Sequence, residues 1–169
     1  MTTLRKTDYA RALKLSERFN IKAGARPNRR VKATLSQAVE FLAPLAGQIE
    51  TGSVIHVGSA WHGPDVFLDA ATARDMARDK DRTDYLTGSI DVTLSQRDEA
   101  KLSLIRKTFN LKSDKQAAGL ALRVYEGVCD NLWRGNGFTV DKPSAQGKTK
   151  TRPLDTAKVQ GIVGPGAIP

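Results

Sequence analysis

Ser89-Ile90-Asp91-Val92-Thr93-Leu94-Ser95 is the stretch on which the fold turns. Apolar Ile90, Val92 and Leu94 alternate with polar Ser89, Asp91 and Thr93, the period-two signature of a strand that buries one face and leaves the other free. Ser95 has the side chain of an N-cap, and Asp98 and Glu99 fall in the first turn beyond it, where the helix dipole favours negative charge. Leu102, Ile105 and Phe109 recur at helical spacing, which predicts a helix of about four turns ending near Asn110.

Downstream, Asn110-Leu111-Lys112 makes a short turn and Ser113 can cap a second helix. Ala117, Leu120, Ala121, Val124, Val128 and Leu132 form one apolar row of it, and Leu122, Tyr125, Cys129 and Trp133 form the next. A helix this broadly apolar needs burial on more than one side. Gly135-Asn136-Gly137 stops it with residues that tolerate left-handed backbone.

This order of alternating strand, capped helix, short turn Lys112-Ser113-Asp114-Lys115 and long apolar helix resembles the ribbon-helix-helix family over residues 89–133. The run from Leu104 to Phe138 is similar, more narrowly, to the accessory proteins of T-DNA and plasmid conjugal transfer. The resemblance implies two strands paired antiparallel into a ribbon that enters the DNA major groove. Ser89, Asp91 and Thr93 would then face base edges, Thr touching a thymine methyl and Asp accepting from a cytosine amino group. The backbone amides of Lys112, Ser113 and Asp114, with the Lys112 and Lys115 side chains, would hold a phosphate at the second helix's N-terminus. Asp91 departs from the family, which usually has a basic or amide residue there. The plain alternative for Ser89–Thr93 is an ordinary edge strand.

A unit of about 45 residues buries too little surface to fold alone, and a lone strand leaves its edge unpaired, so two copies must meet. Thr34-Leu35-Ser36-Gln37 echoes Thr93-Leu94-Ser95-Gln96 and could mark a copy upstream. The helix after that echo carries Pro44 and leads to a strand rather than a second helix. A homodimer is therefore expected, with a pseudo-dimer inside one chain as the alternative.

Charge is uneven along the chain. Residues 1–32 hold ten Lys/Arg against two Asp/Glu, a net +8, whereas residues 33–140 come to −2 and residues 141–169 to +3. Within residues 4–20, good helix formers place Arg11, Lys14 and Arg18 on one face, with Lys22 continuing the row. Gly24 and Pro27 then break the helix. Arg26, Arg29, Arg30 and Lys32 are expected to follow phosphates as a mobile basic arm; a merely solubilising arm is the alternative.

Residues 33–86 read as a small α+β segment of their own. Ser36 is a candidate N-cap for a helix carrying Val39, Leu42, Leu45, Ala46 and Ile49, which Pro44 should kink or shorten. Ser53–Val57 and Val66–Leu68 read as paired strands, and Asp69 can cap a helix to about Arg78, with charged residues 74–84 as an exposed helix end and linker. Residues 139–169, rich in Pro and Gly, are expected to form a flexible tail.

The fold class expected is thus α+β, mainly helical, in four parts: a basic arm at 1–32, the α+β segment at 33–86, the ribbon-helix-helix unit at 87–138 and the tail. Hydrophobic residues make up 40% and charged residues 27%, and no apolar run approaches the roughly 20 residues of a membrane span. The N-terminus lacks a signal's apolar stretch, so a cytoplasmic location is expected. One cysteine and two histidines predict no disulfide, no metal site and no cofactor. His56, His62 and Trp61 could line a ligand pocket, but no nucleophile–base spacing or phosphate loop is present, and no enzyme is expected. The chain reads as a protein that binds double-stranded DNA, an accessory factor in DNA processing or transfer or a transcriptional regulator, with other DNA-processing proteins as partners. The rival reading is an interaction module whose basic arm holds an acidic partner.

Overall fold

The short run Thr2-Thr3-Leu4-Arg5 is the strand that pairs with Ser89–Val92. In the computed structural model, which describes residues 1–21, 24–58, 65–78 and 88–163, β1 (Thr2–Arg5) lies antiparallel to β4 (Ser89–Val92), with Thr2 opposite Val92, Thr3 opposite Asp91, Leu4 opposite Ile90 and Arg5 opposite Ser89. The second strand that the sequence reading sought in another chain is therefore supplied by the same chain. Leu4 is wholly buried and Val92 nearly so. Burial of this kind stabilises by roughly 1.5–3 kcal/mol per large side chain, which fixes which face of so short a ribbon turns inward.

Each ribbon strand leads into two helices. After β1 come α1 (Lys6–Arg18) and α2 (Pro27–Glu50); after β4 come α4 (Gln96–Thr108) and α5 (Asp114–Trp133). Helices α1 and α4 have 13 residues each and end alike. Asn20 and Asn110 both take left-handed backbone, with φ of 49° and 53°. Identical bonds close the two turns: Phe19 N–H to Leu15 and Ile21 N–H to Ser16, Phe109 N–H to Ile105 and Leu111 N–H to Arg106, all at 2.9–3.1 Å. Buried Asp8 and Asp98 occupy the same place in the two first turns.

The core lies where these halves interlock. Helix α2 packs along both α4 and α5, and α1 packs on α2 and α5. Val31, Leu35, Val39 and Leu42 of α2 meet the buried row Ala117, Leu120, Val124 and Val128 of α5, with Leu102, Ile105 and Phe109 of α4. Both predicted caps at 95 and 113 form: Ser95 Oγ accepts from Asp98 N–H and Ser113 Oγ from Gln116 N–H, each at 3.2 Å.

Between the halves, β2 (Val54–Gly58) and β3 (Asp65–Leu68) pair antiparallel, followed by α3 (Ala70–Arg78) with Asp69 as its cap. After α5, β5 (Gly137–Pro143) and β6 (Thr149–Pro153) extend that hairpin into a four-stranded sheet of order β3-β2-β5-β6, and α6 (Ala157–Val163) packs on α5.

Several expectations are corrected. Residues 1–32 are no mobile arm, because Leu4, Ala12, Leu15, Phe19, Ile21 and Val31 are buried in the main core. The first helix starts at Lys6 rather than Leu4. The second begins at Pro27, the position where a missing N–H costs nothing, so Ser36 lies mid-helix and the Thr34–Gln37 echo marks no repeat. Pro44 does not shorten that helix. Residues 139–163 are no flexible tail, since Phe138 anchors β5 against Phe67 and Val159 and Val163 are buried. Among the described residues the chain is mixed α+β and mainly helical, and no described helix is long and apolar enough to cross a membrane.

Candidate nucleic-acid interface

Alternation along the ribbon turns Leu4 and Val92 to the core and leaves the opposite face to polar side chains. Ser89, Asp91 and Thr93 are all exposed, and Thr3 is half-buried beside them. Thr3 Oγ1 donates to Asp91 Oδ1 at 2.7 Å, and Lys115 Nζ donates to Ser89 Oγ at 2.8 Å. The three residues expected to face bases thus share one surface, with one of the expected phosphate-contacting lysines at its edge. Arg5 reaches away from that surface, donating to the Ala77 carbonyl in the last turn of α3 at 3.1 Å.

The start of α5 gathers the groups expected to hold a phosphate, with one change from expectation. Lys112 N–H donates to Gln116 Oε1 at 3.0 Å, so that amide is already used; those of Ser113 and Asp114 belong to the first turn, where amides have no acceptor within the helix. Asp114, whose carboxylate would repel an anion, is paired with Arg106 at 2.9 Å. Beside this turn lies a cleft of about 310 Å3 walled by Arg74, Arg78, Lys112 and Gln116. Arg74 is tied to Glu50, while Arg78 is exposed. Arg78 was assigned to a charged helix end from sequence, and only the packing of α3 beside α5 gives it a place here.

At the start of α2 the cations recur but the amides do not, since Pro27 has no N–H and the Arg29 and Arg30 amides donate to the Arg26 carbonyl. Matching the buried row Val31, Leu35, Ala38 and Leu42 to Ala117, Ala121, Val124 and Val128 sets Arg26 in the place of Lys112 and Arg29 in that of Lys115. Arg26, Arg29 and Lys32 are exposed; Arg30 is half-buried and donates to the Gly24 carbonyl at 3.1 Å. Tyr9 O–H donates to Asn28, fixing the first turn against α1. The signal that would have exposed this repeat was Phe19-Asn20-Ile21 against Phe109-Asn110-Leu111, not the quartet at 34–37.

The basic stripe of α1 does something else. Arg11 contacts Asp8 and Glu126, both at 2.9 Å, and Arg18 pairs with Asp130 while its guanidinium lies 4.8 Å from the Phe19 ring and 5.8 Å from that of Trp133. These two cations clamp α1 onto α5. Lys14 is exposed, and Lys22 lies outside the described residues.

Of the residues weighed for a ligand pocket, His56 Nε2 sits 3.0 Å from Asp141 Oδ2 across β2 and β5, while Trp61 and His62 lie outside the described residues. Among the described residues no group of three His, Cys, Asp or Glu could hold a metal. Cys129 is buried within α5, and that burial pushes its thiol up to about 12, with the Tyr125 hydroxyl a lesser, opposing influence. Comparisons with protein-family models, curated proteins and solved structures gave no match.

Proposed function

We propose that the chain binds double-stranded DNA as a single-chain protein of ribbon-helix-helix type, in which two strand-helix-helix halves of one polypeptide make the unit that two subunits make elsewhere. The observation that carries this reading is the β1–β4 ribbon, each strand of which leads into two helices whose second members begin with paired cations, Arg26 and Arg29 in one half and Lys112 and Lys115 in the other. In this reading the ribbon enters the major groove, with Thr3, Ser89, Asp91 and Thr93 toward base edges. The cations at the starts of α2 and α5, with the first-turn amides of α5, grip phosphates on either side. Arg78 adds to the α5 grip. Such a protein serves as an accessory factor in DNA processing or conjugal transfer, or as a transcriptional regulator, working in the cytoplasm beside other DNA-processing proteins.

Fluorescence anisotropy against random and selected duplexes tests this. A selected site should bind more tightly than random sequence, and Thr93→Ala should relax discrimination at one base pair by about 1–3 kcal/mol while leaving random-duplex binding unchanged. Absence of duplex binding even at about 50 mM salt, where backbone contacts are strongest, would sink the proposal and favour an interaction module.

A further inference from the structure

Helix α2 presents Gln37, Phe41, Pro44 and Leu45 toward Leu154 and Ile162, and between them lies a cavity of about 470 Å3. Small-molecule sites typically span roughly 300–1,000 Å3, with apolar walls and a few convergent polar groups. Here the apolar walls are Phe41, Pro44, Leu45, Leu154 and Ile162, and the polar groups come from α2 and Tyr125 on one side and from Asp155, Thr156 and Lys158 on the other. Tyr125 O–H donates to Gln37 Oε1 at 2.8 Å, and the Gln37 NH2 has no partner among the described residues. At the rim, Lys158 Nζ lies 3.3 Å from Glu40 Oε1 and ties α6 across the opening.

The Gln37 NH2 is a spare donor among mainly apolar walls, and it selects a ligand that carries an acceptor. We infer that this cavity binds a small, mainly apolar molecule bearing a carbonyl group, which accepts from the Gln37 side-chain amide. The inference uses neither the ribbon nor the basic helix starts, and it stands or falls independently of DNA binding.

Acetanilide is a suitable probe, titrated into the 15N-labelled full chain and followed by NMR. Saturable shifts should be confined to the Gln37 side-chain amide and the backbone amides around Leu154–Ile162. Ethylbenzene, which keeps the ring but lacks the carbonyl, should bind several-fold more weakly. Gln37→Glu keeps the acceptor for Tyr125 but removes the donor, and should weaken acetanilide about tenfold. Should that variant fail to fold, Ile162→Lys obstructs the cavity from the α6 side and should abolish the shifts. Shifts that do not saturate, or that centre on exposed Val66 and Leu104, would overturn the site; so would unchanged affinity in whichever variant folds. Shifts of the same amides with protein concentration alone would assign the cavity to a second copy of the chain, which also overturns the inference.

Discussion

The Asp8 carboxylate rests on the backbone of α5 at Gly119, where an added Cβ would stand 2.7 Å from Oδ2. Gly47 in α2 offers the contrast, with nothing within 4 Å of the same construction. Alanine in a helix interior gains about 1 kcal/mol over glycine, so the surroundings decide the sign at each site. Gly47→Ala should stabilise by up to about 1 kcal/mol. Gly119→Ala should destabilise by roughly 1–3 kcal/mol, because buried Asp8 cannot yield freely. Urea midpoints of the two variants check both, and a stabilised Gly119→Ala would show that α1 docks differently.

Alkaline pH should loosen the fold. Burial raises the Cys129 thiol from its ordinary 9.0 to about 12, and burial likewise raises the Tyr125 phenol above its ordinary 10.0. Between pH 9 and 12 the unfolded chain has lost protons that the folded chain keeps, so stability present below pH 9 is lost as pH rises through that window. Each such group contributes a slope of up to about 1.4 kcal/mol per pH unit. Melting temperatures at pH 8 and 10.5 should fall accordingly, and Cys129→Ala should flatten part of the fall. A thiol reagent should leave Cys129 unmodified in the native protein and react once it unfolds.

Salt dependence distinguishes cations that meet phosphate from cations that hold the fold together. Arg29→Ala and Lys115→Ala should each reduce the slope of log K against log salt by about 0.9, and by similar amounts because the two residues hold equivalent places. Arg18→Ala should leave that slope unchanged and lower the melting temperature instead, since its partners are Asp130, Phe19 and Trp133. A slope altered equally by all three variants would refute this division.

Asp91 is the acid on the ribbon's exposed face, held by Thr3. Replacing it with Asn removes a charge that repels phosphates while keeping an acceptor for the Thr3 hydroxyl. Affinity for random duplexes should rise several-fold in Asp91→Asn, and preference for cytosine at the contacted position should fall. Anisotropy titrations on a panel of single-base variants would show whether both changes occur together.

Much of the second half was legible because its elements are specified locally. Ser95 and Ser113 cap where their side chains predict, Asp69 does the same for α3, and the β2–β3 hairpin follows its β-branched residues. β1 was not legible: four residues show no periodicity, and Leu4 looked like the first turn of a helix until a partner strand some 85 residues away claimed it. β6 has no buried residue at all, so only pairing to β5 makes it a strand. The expected site was half legible for the same reason. Ser89, Asp91 and Thr93 could be read from alternation, but Arg11 and Arg18 resembled free cations because Glu126 and Asp130 lie more than a hundred residues downstream.

That Thr3 finds Asp91 in its own chain also removes dilution as a variable. A ribbon shared between subunits dissolves when its concentration falls, whereas this one is held by a loop whose closure costs the same at any concentration. Its unfolding midpoint should therefore be independent of protein concentration. The two halves are not bound to be identical, and they differ at equivalent places, Asn28 against Asp114 and Tyr9 against Glu99. If the ribbon binds DNA as proposed, a surface assembled from unequal halves has no need of a palindrome.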